Sequence, residues 1–174
     1  TYQTAEKFRA DCRHKFDRKE LKRATDIEAK TPWSPYNLKL YRQTWWGIAS
    51  ILQPLLETNS ARAIPMQEIL PNKPVIAEVC PASFLKLRKY PGKYKRSSQQ
   101  DAESAAIQRT KIFDQLITTK FLSVPNDAIR NVVLGNHGGD ALDAVIAALT
   151  VGALTIEDTK PRNEVDRIEA RVYF

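Results

Sequence analysis

Cysteine, histidine and long hydrophobic runs are all scarce in this chain, and each scarcity closes a class of explanation. The two cysteines, Cys12 and Cys80, are too few for a disulfide framework and stand in no metal-ligand spacing, so both read as reduced thiols. The longest uncharged apolar stretch, Ala144 to Leu154, is too short to span a bilayer. No secretory signal pattern opens the chain, and a cytoplasmic protein without membrane contact is expected. No internal repeat or low-complexity segment is present, which excludes solenoids and disordered tails.

Convincing strands are scarce as well. The sequence reads as mostly helical: one long polar helix over 2–24 with a thin stripe of Phe8, Cys12, Phe16 and Leu21, and a buried helix over 42–57. The second of these holds Trp45, Trp46, Ile48, Ile51, Leu52, Leu55 and Leu56, with Pro54 expected to kink or restart it and the tryptophans to anchor the core. Further helices are expected over 81–88, from Ser97/Ser98 to Thr118, over 125–133 and over 139–151. Only Val75–Val79 and Arg167–Phe174 read as strands. An isolated strand cannot satisfy its backbone groups in a core. The expected fold is therefore α/β and helix-dominated, a single domain over 1–174 whose central sheet is incomplete. Its first strands would lie upstream or come from a partner chain, and a homo-oligomer fits the same gap. At 174 residues and 43% apolar content, the chain can build one real core.

Lysine and arginine outnumber aspartate and glutamate by 27 to 20, giving a net charge of +7, and the placement matters more than the sum. Lys7 to Arg23 interleaves bases with Glu6, Asp11, Asp17 and Glu20, so it reads as a salt-bridged, solvated face, His14 included. The stretch Lys86 to Arg96 carries six positive charges and no acid, alternated with Tyr90 and Tyr94 around a Pro91-Gly92 turn. Such a loop is either merely solvated or a phosphate-binding segment whose rings lie against bases or sugars. Lys89, Lys93, Tyr94, Lys95 and Arg96 are its candidate contacts.

The densest signal is Asn136-His137-Gly138-Gly139-Asp140-Ala141-Leu142-Asp143-Ala144, running into the apolar Val145–Leu149. Asp140 stands where a helix N-cap belongs, and acids in a first turn are favoured by the helix dipole. Asp140 and Asp143 at i and i+3 share one helix face, roughly 5–6 Å apart at Cβ, which also suits a shared divalent cation. His137 is a loop residue, a general base or a metal ligand. Glu78 interrupts the apolar strand near its carboxyl end, where open α/β sheets bind ligands. A buried acid there needs a base such as Arg23 or Arg88, a set of donors, or a metal.

Taken in order, Glu78-Val-Cys-Pro81-Ala82, the basic loop, Gly139-Asp140-Ala141-Leu142-Asp143-Ala144 and the terminal Glu169-Ala-Arg171-Val172-Tyr173 resemble the predicted-nuclease family called domain of unknown function 429. Arg23-Ala-Thr-Asp26 is similar to that family's Arg-x-Cys-Asp element, with Thr25 in place of the cysteine. The resemblance runs from about Arg23 to Tyr173. It implies an RNase H-like fold near the RuvC-type resolvases, and Glu78, Asp140 and Asp143 as catalytic, metal-binding acids. His137, Arg23 and Asp26 would be accessory. The implied chemistry is two-metal phosphodiester hydrolysis with Mg²⁺ or Mn²⁺, which hard oxygen ligands and few imidazoles suit better than Zn²⁺. The partner would be DNA or RNA, held through phosphates.

The family's first strand, with its acid, and a second acidic strand upstream of Arg-x-Cys-Asp are not found in these residues. The resemblance thus implies the C-terminal part of a nuclease domain, inactive alone. The alternative is a non-catalytic nucleic-acid-binding or assembly module of the same fold.

Overall fold

The computed structural model describes residues 2–17, 19–97, 101–123 and 126–174. It is helix-dominated, with short two-stranded sheets. Among the described residues no helix is long and apolar enough to cross a membrane. The chain divides into two compact units, Thr1–Glu78 with Thr155–Tyr173, and Val79–Leu154 with Phe174.

In the first unit, the expected helix over 2–24 is shorter. Helix α1 (Ala5–Lys15) starts at Thr4, whose side chain accepts from the Lys7 N–H, and ends before Asp17, which takes a positive φ of 49°. An extended stretch follows, and Arg23 then opens the short helix α2 (Ala24–Glu28). The expected stripe holds at Phe8 and Cys12, which pack on Ala5, Tyr36 and Tyr41, whereas Phe16 and Leu21 are exposed. The charged face is laced as expected, with Lys15–Asp11 at 2.9 Å and Arg9 and Arg13 each 3.7 Å from Glu20; His14 is exposed.

The apolar helix over 42–57 forms, but it is not buried. Helix α3 (Tyr41–Trp46) packs on α1 through Tyr41 and Trp45, and a π-helical segment (Gly47–Leu52) leads into α4 (Gln53–Glu57). No residue from Gly47 to Glu57 is buried, and Trp46 is 58% exposed. The packing on α1 is made by α3, and Ile48 and Ile51 beyond it stay exposed. Pro54 does restart the helix. It sits in the first turn of α4, where its missing N–H costs nothing, just after the wide turn in which the Gln53 N–H reaches back to Ile48 O.

The expected strand Val75–Val79 is broken at Ala77, where the run changes partner. Strand β1 (Arg62–Ala63) pairs in parallel with β2 (Val75–Ile76), in register Arg62 to Val75 and Ala63 to Ile76. Strand β3 (Glu78–Val79) pairs instead with the last strand, β4. Val75 is 39% exposed, so burial on both faces does not hold. The C-terminal strand is also shorter than expected. Asn163 accepts from the Asp166 N–H and opens a helix over Glu164–Glu169, and Ala170 at φ 64° ends it, leaving β4 as Val172–Tyr173.

The second unit holds the larger core. Helix α5 (Pro81–Leu87) starts on its proline, α6 (Ala102–Thr118) is capped by Asp101, and α7 (Asp127–Gly135) is capped by Asn126. The expected Ser98 and Pro125 starts lie outside the described residues. Helix α8 (Asp140–Gly152) follows, and the C-terminal helix of the first unit is α9. Phe84, Leu85, Tyr90, Tyr94, Ile112, Phe113, Leu116, Val133, Leu142 and Ile146 form the core. The two longest helices contribute residues three or four apart, Ile112, Phe113 and Leu116 of α6 and Leu142 and Ile146 of α8.

Candidate functional site

In the second unit, the two aspartates of the Gly-Gly-Asp turn meet the basic loop. The start of α8 is not capped by either acid. Gly139 holds the cap position in the left-handed region (φ 77°), and the Asn136 side-chain oxygen accepts from the Asp140 N–H at 2.8 Å. Asp140 is therefore the first helical residue and not the cap, which corrects the sequence expectation. Its carboxylate, like that of Asp143, is free for other work.

That work is done with the loop. Lys95 Nζ donates to Asp143 Oδ2 at 2.5 Å and to Asp140 Oδ1 at 3.3 Å, and Tyr94 Oη donates to Asp143 Oδ1 at 2.6 Å. The Asp143 side chain is 24% exposed and that of Asp140 81%, so the pair has one sheltered and one open carboxylate. Burial, the hydrogen bond to Asp143 and its charge all push the Tyr94 phenol well above its ordinary range. Burial works to lower the Lys95 ammonium, but the Asp143 hydrogen bond and the charges of both acids outweigh it and raise Lys95. Tyr94 stays a neutral donor and Lys95 a fixed cation.

The approach is close enough to require glycine. A Cβ at Gly139 would stand 2.9 Å from Lys95 Cγ and 3.1 Å from two carbons of the Tyr94 ring. The loop is pinned again by the Arg96 N–H donating to His137 O at 3.0 Å, so His137 contributes its carbonyl while its side chain is exposed. Tyr94 is a correction to the sequence expectation. Its ring lies in the core with that of Tyr90 and offers no stacking platform, because these two residues of the loop turn inward. Lys89, Lys93 and Arg96 are exposed, and none forms an ion pair with a described residue.

Sequence reasoning missed two residues of this site. Asn136 supplies the side-chain acceptor for the first N–H of α8, and Arg109 of α6 is a buried support whose Nε donates to Leu134 O at 3.0 Å and whose Nη1 donates to Tyr94 O at 2.8 Å. The signal for Arg109 was its place on the apolar face Ala105, Ile112, Phe113, Leu116, where a guanidinium must find carbonyls or acids.

In the first unit, Glu78, Arg23 and Asp26 form a separate cluster. Glu78 takes both ends of the Arg23 guanidinium, with Nη1 to Oε2 at 2.9 Å and Nη2 to Oε1 at 2.7 Å. Arg23 Nε and Nη2 also reach Asp26 at 3.0 and 2.9 Å, and Nη1 reaches Glu169 O at 3.1 Å. Burial disfavours the Arg23 charge, but the hydrogen bonds it donates to Glu78 and Asp26 keep its pKa above the ordinary value. The motif threonine, Thr25, accepts from the Val172 N–H at 2.6 Å and ties α2 to β4. Of the readings open for Glu78, the structure gives the ion pair with Arg23. Among the described residues, no three His, Cys, Asp or Glu side chains gather as a metal site. Comparisons with protein-family models, curated proteins and solved structures return no match.

Proposed function

We propose that the chain is the C-terminal part of an RNase H-like, divalent-metal-dependent nuclease that hydrolyses phosphodiester bonds in DNA or RNA. Asp140 and Asp143 are its metal-binding acids in this part. The observation that carries the reading is the meeting of the basic loop with the acid pair through Tyr94 and Lys95. The loop that turns Lys89, Lys93 and Arg96 to solvent sets its Lys95 on both carboxylates, so phosphate contacts and acids share one short segment. Capping does not explain the acids, because Asn136 does that work.

Two carboxylates on one helix turn fit Mg²⁺ or Mn²⁺, which take one or two protein carboxylates and complete their shell with water and substrate phosphate. Bound there, the cation would stabilise the negative charge that develops on the phosphodiester. Asp140 and Asp143 would hold it, while Tyr94 orients Asp143 through its phenol. Lys93, Arg96 and Lys89 bind the backbone without reading sequence. Glu78 enters as the partner of Arg23, a brace for α2. In the family's pattern the remaining acids come from strands that precede Arg23, so cleavage is expected of the intact protein.

The test is cleavage of branched, hybrid and single-stranded substrates by the intact protein with Mn²⁺. Asp143→Asn should lower it by about two orders of magnitude or more, and unchanged cleavage refutes the assignment. Lys93→Ala with Arg96→Ala should weaken binding at low salt and reduce the slope of log K against log salt by about 2. An unchanged slope removes the phosphate role of the loop. One observation favours a second reading, a non-catalytic nucleic-acid-binding module: Lys95 already pairs with both acids within the chain. On that reading, Mn²⁺ produces no cleavage and Asp143→Asn leaves binding unchanged.

A further inference from the structure

We infer that Lys95 is a built-in counter-cation that competes with the divalent metal for Asp140 and Asp143, and that phosphate binding relieves the competition by drawing its ammonium away. The inference rests on the metal reading above and concerns how that site is controlled. Its basis is geometric. Nζ lies within hydrogen-bond distance of both carboxylates, at 2.5 and 3.3 Å, so a metal ion sharing them must displace it. Only the side chain has freedom to do so. The backbone on one side is fixed by the buried Tyr94 and its carbonyl bond from Arg109, and on the other by the Arg96 N–H on His137 O. The Lys95 side chain is 43% exposed, so its ammonium can leave the acids for solvent without opening the core.

Such an arrangement couples two ligands. An incoming phosphate offers Lys95 a new anion, which frees the carboxylates. A bound divalent cation repels Lys95 toward the phosphate. The coupling is reciprocal: nucleic acid must raise metal affinity by the factor by which metal raises nucleic-acid affinity. In the absence of nucleic acid, the ammonium occupies both carboxylates and keeps metal affinity low.

The test is Mn²⁺ titration of the intact protein, with free Mn²⁺ read by electron paramagnetic resonance in the presence and absence of a short DNA duplex. Lys95→Met keeps the aliphatic stem and removes the charge. It should raise Mn²⁺ affinity without DNA about tenfold, equivalent to ~1.4 kcal/mol, and should shrink the further gain on adding duplex. Lys95→Gln, a milder change, should move affinity in the same direction, and Lys95→Arg should stay near wild type. Far-UV circular dichroism shows whether each variant is folded. If Lys95→Met and Lys95→Gln, both folded, bind Mn²⁺ no more tightly than wild type while Asp143→Asn loses binding, the competition is refuted and the metal site stands. If no variant and no wild-type sample binds Mn²⁺, both fall.

Discussion

Replacing Gly139 with alanine tests how the site is assembled, because one methyl group meets two separate objections there. The first is the backbone. At φ 77° an L-residue other than glycine stands in the left-handed region, at a cost of about 1 kcal/mol or somewhat more. The second is space. The new Cβ would lie 2.9 Å from Lys95 Cγ and 3.1 Å from Tyr94 Cδ2 and Cε2, where ordinary contact begins near 3.4 Å or beyond. The lysine stem can turn aside. The tyrosine ring cannot do so cheaply, because it is buried in the core and its carbonyl is held by Arg109. Overpacking of this kind costs roughly 1–3 kcal/mol. The two terms together predict a loss of about 2–4 kcal/mol.

Gly138→Ala is the matched control. Gly138 is outside the left-handed region, and its Cβ would meet chiefly the Asp140 carboxylate, at 3.1 Å from Oδ2. That side chain is mostly exposed and can rotate, so the cost should stay below about 1 kcal/mol. Urea unfolding followed by circular dichroism separates the two variants. With a slope of about 1–2 kcal/mol/M, the Gly139 variant should shift its midpoint by at least about 1 M, and the Gly138 variant by much less. Equal shifts for the two alanines would refute the claim that close approach of the basic loop sets the glycine requirement.

Further perturbations test the supports. Arg23→Lys keeps the charge but loses the fork that serves Glu78, Asp26 and the Glu169 carbonyl together, so it should destabilise the first unit by about 2–4 kcal/mol in urea unfolding. A loss below 0.5 kcal/mol would show that any cation suffices there. Asp166 is buried, and the hydrogen bond from the Arg162 guanidinium holds its carboxyl below the ordinary aspartate range. A depressed folded pKa contributes stability that is present above the unfolded value of about 4 and is lost as pH falls through the folded one. The stability gap between wild type and Asp166→Asn should therefore be widest near neutrality and should narrow on acidification toward pH ~3. A gap independent of pH contradicts the assignment.

What could be read from the sequence depended on whether a local signal or a distant partner decided the outcome. Helices α5, α6, α7 and α8 follow from turn residues, caps and apolar spacing, all local, and they formed close to the expected positions. The helix of Trp45 and Trp46 also formed, yet its burial was misread. Apolar residues report a preference to be covered, whereas coverage depends on what else the fold places there. The Val75–Val79 run illustrates the same limit for strands. Its residues are good strand formers, but its break at Ala77 comes from a change of pairing partner, which strand propensity does not encode. The long polar helix failed for a local reason that was available: Asp17 tolerates a positive φ better than most residues do, and it ends α1.

The acid pair separates these two kinds of information most sharply. Spacing alone put Asp140 and Asp143 on one helix face, and that held. Spacing could not choose between capping and cation binding, because both uses favour an acid in a first turn. Asn136, four residues upstream, accepts from the Asp140 N–H and Gly139 holds the cap position, so Asp140 lies inside the helix and does not cap it. Two carboxylates on one turn repel each other, the helix dipole favours both, and a cation from outside the helix adds to that compensation. Lys95 is that cation, supplied from the basic loop, and Gly139 leaves the space through which its stem passes. The glycine before the acids and the lysine after the tyrosine are therefore parts of one arrangement, although more than forty residues separate them in the chain.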